Sequence, residues 1–205
     1  MIAIRAAAVE EAPTLARLHR EAFPGFFLTS LGEGFLGQLY RGFSASPEAI
    51  CLVACSEGSI VGVVAGPVRP REFFRHLLLT RGAAFLLAAV PGLLRHPWRV
   101  ARRLLAAPFY RGEAPRRESA ALVSTVCVAP SARGSGVAAR MLEQFCSAAS
   151  KRGAKCVYLT TDRDENERVN AFYARAGFEL DEQIRRDGGR VMNRYIKDLE
   201  SHGRQ

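Results

Sequence analysis

Thr125-Val126-Cys127-Val128-Ala129-Pro130-Ser131-Ala132-Arg133-Gly134-Ser135-Gly136-Val137-Ala138-Ala139-Arg140-Met141-Leu142 is the stretch whose reading decides the fold. It opens on a β-branched run, turns at a proline, passes a glycine-rich loop and ends in a helix-forming series. A strand, a glycine loop and a helix start, in that order, bring backbone N–H groups together at one point. The first N–H groups of a helix have no intrahelical partner, and the helix dipole adds partial positive charge there. Glycine lets the backbone approach a phosphate with no Cβ in the way. Arg133 adds a forked cation. The stretch therefore predicts an anion site made mainly of backbone.

On either side the pattern alternates between strands and helices. Strands are predicted over 2–7, 49–55, 60–65, 120–128, 156–161, 178–184 and 190–196. Helices are predicted over 10–22, closed by Pro24, over 28–43, where Leu31, Phe35, Leu39 and Phe43 recur at steps of four, over 137–152, capped by Gly153, and over 166–176, ended by Gly177. Ser56-Glu57-Gly58-Ser59 and Asp187-Gly188-Gly189 read as hairpin turns. The result is a mixed α/β chain with an antiparallel hairpin near each end. A single domain over 1–200 is expected, with a flexible tail at 201–205. The loop lacks Gly-Lys-Ser/Thr, so it is no nucleotide P-loop, and it lacks G-x-G-x-x-G, so it is a poor dinucleotide fingerprint.

Hydrophobic content of 48% and charged content of 24% are those of a globular chain with a full-sized core. Cys51, Cys55, Cys127, Cys146 and Cys156 are odd in number, show no C-x-x-C spacing and lie in apolar contexts. They are expected as free thiols in a reducing, cytoplasmic setting. Met1-Ile2-Ala3-Ile4-Arg5 does not read as a secretory signal. The net charge of +9 is concentrated: between Arg69 and Arg117 stand 11 arginines, no lysine and two acids, which accounts for all of it.

Two motifs carry a resemblance. The stretch from Val126 to Ala138, with Arg133, Gly136 and Ala138 at Arg-x-x-Gly-x-Ala spacing, resembles the acetyl-CoA-binding motif of the GNAT acetyltransferase superfamily. Asn166-Glu167-Arg168-Val169-Asn170-Ala171-Phe172-Tyr173-Ala174-Arg175-Ala176-Gly177-Phe178 resembles that superfamily's later helix motif. The resemblance spans about residues 1–66 and 118–198. It implies a mostly antiparallel sheet, splayed at the acetyl-CoA site and flanked by helices, with the Arg-rich segment over about 67–117 as a helical insertion.

It also implies a mechanism. Val126, Cys127, Val128, Arg133, Gly134, Ser135, Gly136, Val137, Ala138, Asn166 and Tyr173 would hold acetyl-CoA, and no metal is called for. The loop would take the pyrophosphate through backbone N–H groups, and the backbone of Val126 and Val128 would pair with pantetheine. Tyr173 matches the tyrosine that the family uses as general acid toward the leaving thiolate. The strand before the loop contains no carboxylate, so the general base stays open between a water held by Ser124, Glu33 on the second helix, and Glu118. Cys127 is not expected as a nucleophile, because alternation points it away from the ligand. The acceptor would be a primary amine of a small molecule, an amino sugar or a protein. The other functional class is a non-catalytic CoA-binding module.

The insertion reads as short helices over about 73–79, 83–94 and 98–106. Three roles stand side by side: a wall on the acceptor site, a peripheral membrane contact, or a helical hairpin packed on the body or across a homodimer. Charge alone would permit nucleic-acid binding, but no reader motif supports it.

Overall fold

The structure, a computed structural model, describes residues 2–24, 26–95, 115, 117, 119–186 and 189–199. Strand β1 (Ala3–Ala6) leads through a 3-10 turn (Val9–Glu11) into α1 (Ala12–Ala22). Leu15, Leu18 and His19 fall at i, i+3 and i+4 and are buried. The expected second helix is instead two helices, α2 (Phe27–Ser30) and α3 (Glu33–Ala45). The break falls at Gly32, whose φ of 94° no helix accommodates. Strands β2 (Ala49–Ser56) and β3 (Ser59–Pro67) form the first hairpin. Its turn holds Glu57 at φ 51° and Gly58 at φ 76°, the two positive angles that match strand twist.

The start of the insertion departs from expectation. Helix α4 (Pro70–Arg95) is one helix of 26 residues, where two shorter ones were expected. It runs through Pro91, although a proline there removes the bond to residue 87. Packing against α3 holds it: Phe73 stacks on Phe43 at 5.1 Å, and Phe85 meets Phe35 edge-on at 4.8 Å. The third expected helix, over 98–106, and the tail at 201–205 lie outside the described residues.

The predicted strand over 120–128 is also two, β4 (Ala120–Leu122) and β5 (Thr125–Val128). After a 3-10 turn (Pro130–Ala132) come α5 (Val137–Lys151), β6 (Cys156–Asp162), α6 (Glu167–Arg175), β7 (Glu179–Arg185) and β8 (Val191–Asp198). One sheet has the order β1-β2-β3-β5 and is antiparallel throughout. The other has the order β4-β6-β8-β7, with β4 and β6 parallel. The expected α/β architecture with a mostly antiparallel, splayed sheet is therefore the one observed.

Alternation sends neighbours on β3 to opposite cores. Val64 joins Met141, Leu142 and Phe145 under α5. Val63 joins Leu15, Tyr40, Phe43 and Phe73 under α1, α3 and α4. Burying side chains of this size stabilises by about 1.5–3 kcal/mol each. All five cysteines are free, and four are buried.

A polar thread crosses the second core. His19 Nδ1 and the Tyr40 hydroxyl share a hydrogen bond at 3.0 Å, and both side chains are buried. Burial lowers His19 to about 4 and raises Tyr40, so both are neutral near pH 7.

A Cβ on Gly66 would lie 1.8 Å from the Leu122 carbonyl oxygen, so Gly66→Ala pushes β3 away from the strand beside it. Urea unfolding should show a loss of about 2 kcal/mol or more. In the unfolded chain His19 takes its proton near 6.5, but in the fold only near 4. The unfolded state binds more protons in that window. Stability is therefore complete above about pH 6.5 and falls by up to about 3 kcal/mol towards pH 4. Thermal melts across that range should lose that part of the slope in His19→Gln.

Candidate active site

The strand shared by both sheets builds the site. Its first part, β4, pairs with β6, and Val123 N–H still donates to the Tyr158 carbonyl at 2.9 Å. Beyond that point β6 continues with β8, and β5 keeps β3 as its sole strand neighbour among the described residues. The cause is a β-bulge. Ser124 N–H donates to the Ala65 carbonyl at 2.9 Å, and Thr125 pairs with the same Ala65. Two residues opposite one bend the strand and turn it out of the second sheet.

The bulge sets which backbone groups are available. Ala129 N–H donates to the Val61 carbonyl at 2.8 Å. Bonded groups alternate along an antiparallel ladder, so Cys127 also faces β3. The N–H and C=O of Val126 and Val128 then face the open side. Cys127 therefore gives neither backbone nor side chain to that edge. Its thiol lies 3.2 Å from Thr125 Oγ1 in the second core, where burial pushes it up to about 11. A neutral, enclosed thiol is no nucleophile.

The open edge runs into the glycine loop. Gly134 and Gly136 have φ of 80° and 76°, and a Cβ at either would meet nothing within 4 Å. Gly136, which has no side chain to bond the helix, caps α5, and the Ser135 hydroxyl donates back to the Ala132 carbonyl at 2.7 Å. The N–H groups of Val137, Ala138 and Ala139 thus begin the helix without intrahelical partners. Arg133 to Gly136 are exposed, whereas the Val137 side chain is fixed in the first core. This is a backbone cradle for an anion, and it fits a pyrophosphate.

Helix α6 closes the other side. The Asn166 amide donates to Thr161 Oγ1 at 2.8 Å and to the Asp162 carbonyl at 2.9 Å. The Asn170 amide reaches the Asp162 carbonyl at 3.0 Å and accepts from Asn193 at 3.1 Å. Both amide hydrogens of Asn166 are thus used to tie α6 to the end of β6. That anchorage positions Tyr173, whose ring packs among Phe172, Phe178 and Tyr195. Burial pushes the Tyr173 phenol up to about 12, and the Cys127 thiol adds to the shift. Tyr173, Val126 and Val128 all pack against the first core.

The remaining expected residues divide. Ser124 is exposed at the bulge itself. Glu33 is paired with Arg20 across α1 and α3, both side chains partly in solvent. Glu118 lies outside the described residues. The rim was missed by sequence reading. Arg190 holds Asp162 through bonds of 2.5 and 2.7 Å, and its guanidinium carbon stands 5.9 Å from the Phe26 ring centre. The loop before α2, the end of β6 and the β7–β8 turn thus meet at one side of the opening. No signal within a single sequence links positions 26, 162 and 190. Among the described residues no His, Cys, Asp and Glu cluster suits a metal ion.

Comparison with known proteins agrees with this geometry. The description "Acetyltransferase (GNAT) family" matches residues 12–178. Comparison with curated proteins gives no match. The ribosomal-protein-S18-alanine N-acetyltransferase of Escherichia coli has a similar structure, with TM-score 0.62, 12% identity and coverage of 100% of this chain and 98% of that one. An aminoglycoside 6'-acetyltransferase type Ii gives TM-score 0.62 at 14% identity, covering 96% and 97%. A protein of Salmonella typhimurium solved with its cofactor acetyl-CoA gives TM-score 0.61 at 11% identity, covering 99% and 96%. The chain belongs to the GNAT acetyltransferase family. It is an acyltransferase with acetyl-CoA as its co-substrate.

Gly136→Ala tests the cradle. An L-residue held at φ 76° is strained by about 1–2 kcal/mol, so the loop relaxes away from its anion-binding shape. Calorimetric titration with CoA should show affinity reduced about tenfold.

Proposed function

We propose that this acyltransferase moves the acetyl group of acetyl-CoA onto a primary amine by direct attack, with both substrates bound at once. One observation carries the reading: the open edge of β5 is followed, after a 3-10 turn and the glycine loop, by a helix N-terminus with no side-chain cap. When bound, acetyl-CoA supplies an activated thioester carbonyl. The N–H groups of Gly134 and of Gly136 to Ala139 hold its pyrophosphate, while that of Ser135 donates to the Ala132 carbonyl. The backbone of Val126 and Val128 pairs with the amides of its pantetheine arm, as an added strand would. The Val126 N–H donates to the carbonyl oxygen as negative charge develops there.

Protons are handled by two side chains. Tyr173, with its phenol raised to about 12, keeps its proton through the neutral range and donates towards the leaving sulfur. Ser124, exposed at the bulge, holds the water that removes the proton of the attacking amine. Glu33 is the alternative base, and its ion pair with Arg20 would have to open for that role.

The acceptor is the primary amine of a small molecule, an amino sugar or a protein. Fold relatives named for a ribosomal-protein alanine and for an aminoglycoside keep the latter two in view. A cytoplasmic setting is consistent with five free thiols.

Thiol release from acetyl-CoA against an amine panel tests the reading. At least one amine should be turned over, and Tyr173→Phe should lower kcat about a hundredfold with little change in KM. The wild-type rate should rise with pH as the amine loses its proton, with no falling limb from Tyr173 below about pH 11. If CoA raises the melting temperature but no amine is acetylated, catalysis of this kind is excluded.

A further inference from the structure

Helix α4 is apolar on more than one side, and among the described residues only one of these sides meets the domain. Phe73, Leu77, Phe85 and Ala89 form an i, i+4 row that is buried on the body, with Leu77 against Gly42. The rows that face away carry Leu78, Leu79, Leu86 and Leu87, between 67% and 75% exposed, with Phe74 and Val90 beside them. From Phe74 to Val90 this outward strip is about 24 Å long. A soluble helix ordinarily puts polar groups there.

Charge decides what can cover the strip. Arg71 and Arg75 share one outward row with Leu79 and Leu87, and both are exposed. Glu72, the acid of α4's first turn, is paired with Arg69. A second copy of the chain would bring two arginine-rich segments together. The chain's own residues 96–114 have the same sign, with Arg99, Arg102, Arg103 and Arg111 against Glu113. Both occupants are disfavoured by repulsion. A surface that offers phosphates beside hydrocarbon suits both parts of the strip: guanidinium forks take phosphate oxygens, and leucines enter the acyl boundary.

We propose that the outward face of α4 docks the protein on an anionic phospholipid membrane. By length and composition the helix is also long and apolar enough to cross a bilayer over Pro70–Val90. Its Phe73 row, however, belongs to the domain core, so the helix lies in the plane of the interface.

Co-sedimentation of the full chain with vesicles tests this. Vesicles containing phosphatidylglycerol should bind it at low salt, those of phosphatidylcholine alone much less, and high salt should weaken binding. Leu79→Glu with Leu87→Glu should reduce binding about tenfold or more. Arg71→Gln with Arg75→Gln should weaken it and flatten the salt dependence. The melting shift produced by CoA should be unchanged in all variants, which separates docking from the donor site. The proposal is overturned if anionic vesicles do not bind at low salt. It is equally overturned if the leucine variant binds as well as wild type. A dimer in sedimentation equilibrium that the leucine variant dissolves would assign the strip to a second copy instead.

Discussion

A β-strand has two hydrogen-bonding edges, and between Ala120 and Val128 one strand uses them unequally. Its first residues join the second sheet, its last residues join the first, and the crossing occurs at the bulge of Ser124 and Thr125. The crossing needs Gly66, because the Leu122 carbonyl occupies the place of a Cβ there. Everything at the site depends on this geometry. It exposes the peptide groups of Val126 and Val128 on the open side, on the strand that precedes the glycine loop. A straight strand of the same composition would pair with β6 throughout and leave no cleft.

The parts of this arrangement that are local were legible in the sequence. The glycine loop is a matter of local composition and a helix start, and the structure adds that Gly134 and Gly136 are both at positive φ. The helix from Asn166 and its end at Gly177 follow from the same rules. The bulge was not legible, since Val123-Ser124-Thr125 reads as ordinary strand and its cause, Gly66, lies far away in the chain. Nor was the break at Gly32, where helical spacing on both sides hid one residue at positive φ. The single long α4 was misread because prolines and glycines count against a helix locally, while its stability comes from Phe43 and Phe35 on another element.

The side chains around the cleft divide into those that hold and those that face it. Asn166, Asn170 and Asn193 form a chain of amides that locks α6 to β6. Such a network is rigid because each member satisfies another. His19 and Tyr40 do the same beneath β5, whose Thr125 hydroxyl lies close enough to influence the Tyr40 phenol. Ser124 and Tyr173, by contrast, make no hydrogen bond through their hydroxyls among the described residues. The fold thus fixes its anchoring groups and leaves uncommitted the two hydroxyls proposed to handle protons.

The open edge of β5 has a consequence for solubility. Unpaired strand edges recruit other chains and seed aggregation. Here the edge is four residues long, Pro130 follows two residues after it, and it lies inside a fork between two sheets rather than at the perimeter. A foreign strand needs length and a free approach, and neither is offered. An edge of four residues can pair with a short, amide-bearing arm and is too short for a polypeptide partner to build upon.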